Sequence, residues 1–262
     1  MRVRAGIAVA LAVAVLAVLA VAAFWLLPAK EPEPAIEPIA MPETCRNESF
    51  EGDVFVVCAV DASRYRIDLT RSGPDGRPIE RLDRLRGRQG LVFAMNAGMY
   101  HKDFTPVGLY VQDGTEAAPL NRGGGEGNFF MQPNGVFFVD EAGRPGVLTT
   151  EAFAEAGIEP RIATQSGPML VIDGALHPRF EPDGQSRYVR NGVGIGDDPD
   201  TVFFVISRTV VSLGRFARRF RDGLSVRNAL FFDGGISAMY DGSHYVVGGE
   251  QPVGPVVTVS KR

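Results

Sequence analysis

The chain has 262 residues, with 27 Lys and Arg against 31 Asp and Glu, three histidines and two cysteines. The first 44 residues hold three of the basic and four of the acidic groups, so the remainder is close to neutral, 24 against 27. That balance excludes the basic footprint of a nucleic-acid binder. The few unpaired histidines and cysteines exclude zinc sites of the H-E-x-x-H or C-x-x-C kind.

Arg2 and Arg4 precede an uncharged apolar run of 23 residues, Ala5 to Leu27. At ~1.5 Å per residue it extends ~34 Å, enough to span a bilayer core of ~30 Å. The expectation is one N-terminal transmembrane helix, its start in the cytoplasm because arginines precede it and acidic residues follow. A cleaved signal peptide is the alternative, against which stand the length of the run and the lack of an A-x-A-like site. Either way the rest lies outside the cytoplasm, and the anchor reading makes it a single-pass protein of a bacterial inner membrane facing the periplasm. From Pro28 to Thr44 repeated Pro and Glu give an extended spacer. The folded domain is expected over 45–262, ample for one sizeable core. Cys45 and Cys58 are either a disulfide pinning the first strand or two buried thiols.

Strand-like runs follow at Val54–Val60, Tyr65–Leu69, Leu91–Met95, Gly108–Gln112, Gly135–Val139, Met169–Ile172, Val202–Ser207, Ala229–Phe232 and Pro255–Val259. A helix is expected from Leu213 to Asp222, where Leu213, Phe216, Ala217 and Phe220 form one apolar stripe and Gly223 suits the C′ position. Arg215, Arg218, Arg219 and Arg221 read as its solvated face. A second short helix is expected at Glu151–Ala156. The pattern is that of one α+β domain with a mixed or antiparallel sheet core and a few helices.

No G-x-S-x-G elbow, P-loop or dinucleotide fingerprint is present. The Gly-rich stretch 122–128 reads equally as a surface loop or as a flap over a pocket. Four other segments join an apolar run to glycine and polar groups. They are Met95–Tyr100 with Pro106–Leu109, Ala163–Leu170, Arg190–Gly196, and Phe231–Ser237. In the last, a strand delivers Asp233 to its tip, and Gly234 and Gly235 leave backbone N–H groups open to a ligand. Converging at one sheet edge, the four would offer amides (Asn96, Gln165, Asn191), hydroxyls (Thr164, Ser166, Ser237), one guanidinium (Arg190) and one carboxylate (Asp233). Gly98, Gly167 and Gly192 would supply close backbone approach. That inventory suits a sugar carrying a phosphate.

The order NAGMY, PVGL, PNG (133–135), ATQSGPML, RNGVG and FFDGGIS resembles the phosphodiester glycosidase family, nearest to its bacterial envelope branch. The likeness runs from about Phe93 to Tyr240. It implies cleavage of a sugar C1–O–P linkage to a free sugar and a phosphomonoester. Ala97 and Ile236 depart from the animal members, where glycines stand. On this reading Arg190 stabilises the phosphate leaving group and Asp233 is nucleophile or base. Glu126, Asp197 and Asp198 are the candidates for a second carboxylate. The bland readings are a turn aspartate for Asp233, an ion pair for Arg190 and a turn residue for Asn96. The residues name no definite cofactor; a divalent cation is one option, since Asp197, Asp198 and Asp200 are either a divalent-cation site or an exposed loop. The alternative function is a non-catalytic glycan binder or envelope assembly protein.

Overall fold

The structure, a computed structural model, describes residues 41–73 and 75–262. The expected membrane helix and most of the spacer fall outside these residues, and among the described residues no helix is long and apolar enough to cross a membrane. In chain order the strands begin with β1 (Cys45–Phe50), β2 (Asp53–Asp61), β3 (Tyr65–Thr70), β4 (Leu91–Asn96), β5 (Tyr110–Gln112) and β6 (Thr115–Ala118). Next come β7 (Gly135–Asp140), β8 (Pro145–Thr149), helix α1 (Thr150–Ala156), β9 (Pro160–Ser166), β10 (Met169–Ile172) and β11 (Ala175–Leu176). The last part holds β12 (Asn191–Ile195), β13 (Thr201–Ser207), helix α2 (Leu213–Leu224), β14 (Asn228–Phe231), β15 (Met239–Tyr240), β16 (Tyr245–Val247) and β17 (Val256–Lys261).

These strands make a seven-stranded sheet, β1-β2-β13-β12-β14-β10-β11, and two five-stranded sheets, β16-β15-β4-β17-β3 and β6-β5-β9-β7-β8. Every pairing between them is antiparallel. The domain is therefore mostly β with two helices, a sharper description than the mixed α+β expectation.

Side-chain alternation explains the layering. Val56, Cys58 and Val60 of β2 and Val202, Phe204 and Ile206 of β13 point into a core shared by the three sheets. There Phe204 meets Phe93 of β4 at 5.6 Å and Phe137 of β7 at 5.8 Å between ring centroids, edge-on, so one aromatic ties the sheets together. The intervening residues Phe55, Val57 and Val205 face the other way, onto Phe216 and Phe220 of α2. Strands covered on both faces read as continuous apolar runs, which is how they were visible in the sequence. A 3-10 turn at Leu82–Leu85 covers the outer face of the β4 sheet, and Phe153 of α1 covers that of the β9 sheet.

Two details of α2 differ from expectation. Gly223 is not its C′ residue: the helix runs on to Leu224, and Ser225 takes the left-handed conformation at φ 55° while Val226 N–H reaches back to the Phe220 carbonyl at 3.0 Å. Gly223 serves a close approach instead, since a Cβ there would lie 3.1 Å from the Phe50 ring. Nor is the arginine face simply solvated. Arg215 binds Asp53 at 2.7 Å, Arg218 binds Glu51 at 2.7 Å, and Arg219 is buried against Glu48 with its guanidinium over Phe50 and Phe55. The helix thereby clamps the β1–β2 hairpin. Cys45 and Cys58, opposed across that hairpin, are joined by a disulfide.

Candidate active site

The 232–238 segment leaves the seven-stranded sheet at the end of β14 and enters the β4 sheet at β15. Asn96, the last residue of β4 and buried, brackets this crossing. Its Nδ2 donates to the Asp233 carbonyl at 2.8 Å, and its Oδ1 accepts from the Ala238 N–H at 2.8 Å. Asn191, at the start of β12, donates from Nδ2 to the Asn96 carbonyl at 2.8 Å and to Asn96 Oδ1 at 3.1 Å. Ser237 Oγ lies 3.0 Å from Asn191 Oδ1 and 2.9 Å from the Val189 carbonyl. Three of the four sequence segments therefore close into one buried network. Its amides are spent on the protein, so Asn96 and Asn191 position the turn and have little capacity left for a ligand.

The second segment abuts the others but is used differently. A Cβ at Gly98 would fall on Thr164 Oγ1 and 2.6 Å from the Gln165 carbonyl, so only glycine lets the 96–100 stretch lie against β9. The Phe231 N–H then donates to the Pro168 carbonyl at 3.1 Å. Gln165 is saturated. Its Oε1 accepts from Leu109 N at 3.0 Å and Asn121 N at 2.9 Å, while Nε2 donates to the Asn121 carbonyl at 2.7 Å and Thr150 Oγ1 at 3.0 Å. Thr150 continues to Asn134 Oδ1 at 2.7 Å. This set pins the 107–121 loop. Gly167 and Gly192 are also packing glycines: added Cβ atoms would lie 2.7 Å from Asn134 Cβ and 2.6 Å from the Leu230 carbonyl. Ser166 Oγ is buried with no hydrogen-bond partner among the described residues.

Asp233 is different. Half-buried beyond the tip of β14, its carboxylate accepts one long N–H bond, 3.3 Å from Gly235, and no cationic side chain among the described residues reaches it. Burial pushes its carboxyl above the ordinary range, with the Gly235 bond pulling the other way. Tyr100 feels the same environment: burial, then the Asp233 charge, push its phenol up to about 12. Its hydroxyl donates to the Pro252 carbonyl at 2.6 Å. Gly234 packs against the Phe231 ring, whereas Gly235 is exposed and its Cβ direction is almost open.

Arg190 is 1% exposed and forms no ion pair among the described residues. Nε donates to the Val211 carbonyl at 2.8 Å and Nη2 to the Ser186 carbonyl at 2.8 Å, while Nη1 has no partner among the described residues. Burial lowers its pKa to about 10, so it stays charged at neutral pH. The guanidinium lies between two rings, 5.3 Å from the centroid of Phe231 and 5.5 Å from that of Tyr188. Tyr188 is 55% exposed and lines a groove of about 170 Å³ with Gly234, Gly235, Ser237, Gly249 and Glu250. Phe231 is thus the shared floor of the Arg190 and Gly234 sites.

The three proposed second carboxylates are not at this groove. Asp197 and Asp198 follow the far end of β12, roughly 20 Å from Asn191 at ~3.3 Å per residue. There Asp198 Oδ1 accepts from Asp200 N at 3.1 Å in an exposed turn. Glu126 is exposed in the Gly-rich loop, whose Gly125 rests on the Phe130 ring. Glu250 is the carboxylate that the fold brings in. It was missed because only the β15–β16 hairpin returns it to the Asp233 turn; the Gly248-Gly249 pair before it was the available signal. Among the described residues no cluster of three His, Cys, Asp or Glu side chains could hold a metal ion.

The Asp233 turn thus sits on the crossing between two of the three antiparallel sheets. The model of the phosphodiester glycosidase family matches residues 89–260, and the chain belongs to that family. Over 153 residues it is 40% identical to the uncharacterised protein YigE of Escherichia coli (strain K12), covering 58% of this chain and 59% of that one. The chain therefore matches about three-fifths of that relative's length. Its fold is similar to the zebrafish N-acetylglucosamine-1-phosphodiester alpha-N-acetylglucosaminidase catalytic domain, auto-inhibited by its pro-peptide, with a TM-score of 0.60, 14% identity, and 83% and 82% of the two chains covered. A hypothetical protein from Synechocystis is similar at a TM-score of 0.55 and 13% identity, over 83% and 61%.

Proposed function

We propose that the protein hydrolyses the C1–O bond of a sugar-1-phosphodiester in the cell envelope, releasing a free sugar and a phosphomonoester. The observation that carries this reading is Asp233: a half-buried carboxylate without a counter-ion among the described residues, directly before the Gly234-Gly235 pair that lines an open groove. A fold keeps such a group at a cost to stability, and chemistry is the usual compensation. Asp233 acts on the anomeric carbon as nucleophile, or as base toward water. Arg190, uncompensated beneath Tyr188, supplies positive potential for the departing phosphate. Because that leaving group has a second pKa near 6, it departs at neutral pH with little protonation. Exposed Tyr188 offers the sugar an apolar face. Glu250 is the second carboxylate, and its separation from Asp233 in the complex sets retention or inversion. The envelope location rests on the apolar run 5–27, which also supplies the membrane attachment.

The test is incubation of the full-length protein with a panel of sugar-1-phosphodiesters, with the products followed by phosphorus and proton NMR. Equimolar free sugar and phosphomonoester is the expected result. Binding without release from any substrate would replace the hydrolase by a glycan-binding protein.

A further inference from the structure

The near-neutral domain hides one concentrated cationic segment. Between Arg71 and Arg88 lie six arginines and three acidic residues, a quarter of the 24 basic residues beyond position 44. Two of the six are neutralised locally, Arg81 by Asp83 at 2.8 Å and Arg84 by Asp75 at 2.7 Å. Arg86 meets only a carbonyl, that of Ser243 at 3.0 Å, and Arg88 has no side-chain partner among the described residues. Arg84, Arg86 and Arg88 line a pocket of about 430 Å³ together with Ser72, Gly73, Leu85 and Gly87; the carboxylate beside it is that of Asp75, already paired with Arg84.

The segment is fastened along the hairpin that walls the Asp233 groove. Arg81 Nη1 donates to the Gly249 carbonyl at 3.1 Å at the groove end, and Asp83 N–H donates to Tyr245 Oη at 3.3 Å midway. Arg86 holds Ser243 at the other end. Ser243 and Gly249 are six residues apart around β16, so the pocket stands up to ~20 Å from the groove along that hairpin.

We infer that this arginine pocket is a second phosphate subsite, and that the substrate is a polymer bearing phosphate at each repeat rather than a lone phosphodiester. The inference rests on the hydrolase reading for what happens at Asp233, but not for the binding itself. One phosphate sits at the Asp233 groove, and a later phosphate of the same chain meets Arg86 and Arg88. Guanidinium groups suit this because their forked donors match phosphate oxygens. A single-phosphate ligand cannot reach both sites.

The experiment titrates full-length Asp233→Asn protein by calorimetry, so that no ligand is consumed. The probes are a soluble linear oligomer of a sugar 1-phosphate, its single-repeat phosphodiester, and phosphatidylcholine vesicles containing phosphatidylglycerol. Each titration is repeated with Arg86→Gln and Arg88→Gln added. The oligomer should bind about tenfold tighter than the single repeat, the effect of two exposed charge contacts. That advantage should vanish in the arginine variant and shrink with added salt. Equal binding of oligomer and single repeat, or an advantage that survives the arginine changes, overturns the proposal. So does arginine-dependent capture by vesicles without oligomer binding. Parallel turnover of the single repeat by the unmodified protein keeps the two readings apart. If arginine-dependent oligomer binding occurs without any turnover, the subsite stands and the hydrolase falls.

Discussion

The Gln165 cluster and the Asp233 turn lie on neighbouring segments, yet they treat polar groups in opposite ways. Every side-chain donor and acceptor of Gln165 itself is matched, through Leu109, Asn121 and Thr150. The Asp233 carboxylate is held with one long N–H bond, and the Arg190 guanidinium, over the Phe231 ring, has one terminal nitrogen without a partner among the described residues. A saturated buried network fixes backbone and leaves nothing for a ligand; an unsaturated pair of charges weakens the fold and keeps its chemistry available. Asn96, Gln165 and Asn191 belong to the first kind and Asp233 to the second.

Substitutions should separate the two kinds. If Asp233 is the reacting carboxylate, as proposed, Asp233→Asn should lower turnover on the order of 10⁴-fold, read as kcat on the best substrate of the panel. Gln165→Leu should instead cost about 2–4 kcal/mol by orphaning the Leu109 and Asn121 amides, lowering Tm by roughly 5–15 °C. Activity per folded molecule should change little. A variant that melts normally would show that the loop is pinned by something else. Glu250→Gln should lower kcat about 100-fold with Tm unchanged, because the side chain is exposed and has no partner among the described residues; an unaltered rate would remove it from the mechanism. The smallest effect is expected for Arg218→Gln, whose partly screened pair with Glu51 should contribute under ~1 kcal/mol to chemical denaturation.

Much of this architecture could be read in the sequence wherever apolar residues ran unbroken. β2, β4, β7, β10, β13, β14 and β17 all coincide with such runs, because both faces of these strands are covered. β9 and β12 were not read as strands. Their Thr164, Gln165, Ser166 and Asn191 look like loop residues until partners arrive from far along the chain, as Asn96 does for Asn191 across 95 positions. For the same reason the amides looked ligand-directed, being polar groups whose protein partners are invisible in one dimension. Arg219 was misjudged because its stem covers Phe50 and Phe55 while its charge meets Glu48, a contact set by the β1–β2 hairpin. The position of Asp233 beyond a strand tip was legible, since an apolar run ending in Asp-Gly-Gly marks a strand end followed by a turn.

The pH dependence of the Asp233→Asn melting temperature tests the central claim most directly. A carboxyl whose pKa is raised on folding binds its proton more tightly in the native state, so its contribution to stability is lost as pH rises from the unfolded value of 3.8 through the folded one. The amide carries no such loss. The variant should therefore melt above the parent by a few degrees at pH 7. That difference should shrink to a constant offset below pH ~4. A variant that melts well below the parent at neutral pH would mean that the Asp233 charge holds the turn together, and the aspartate would then be structural.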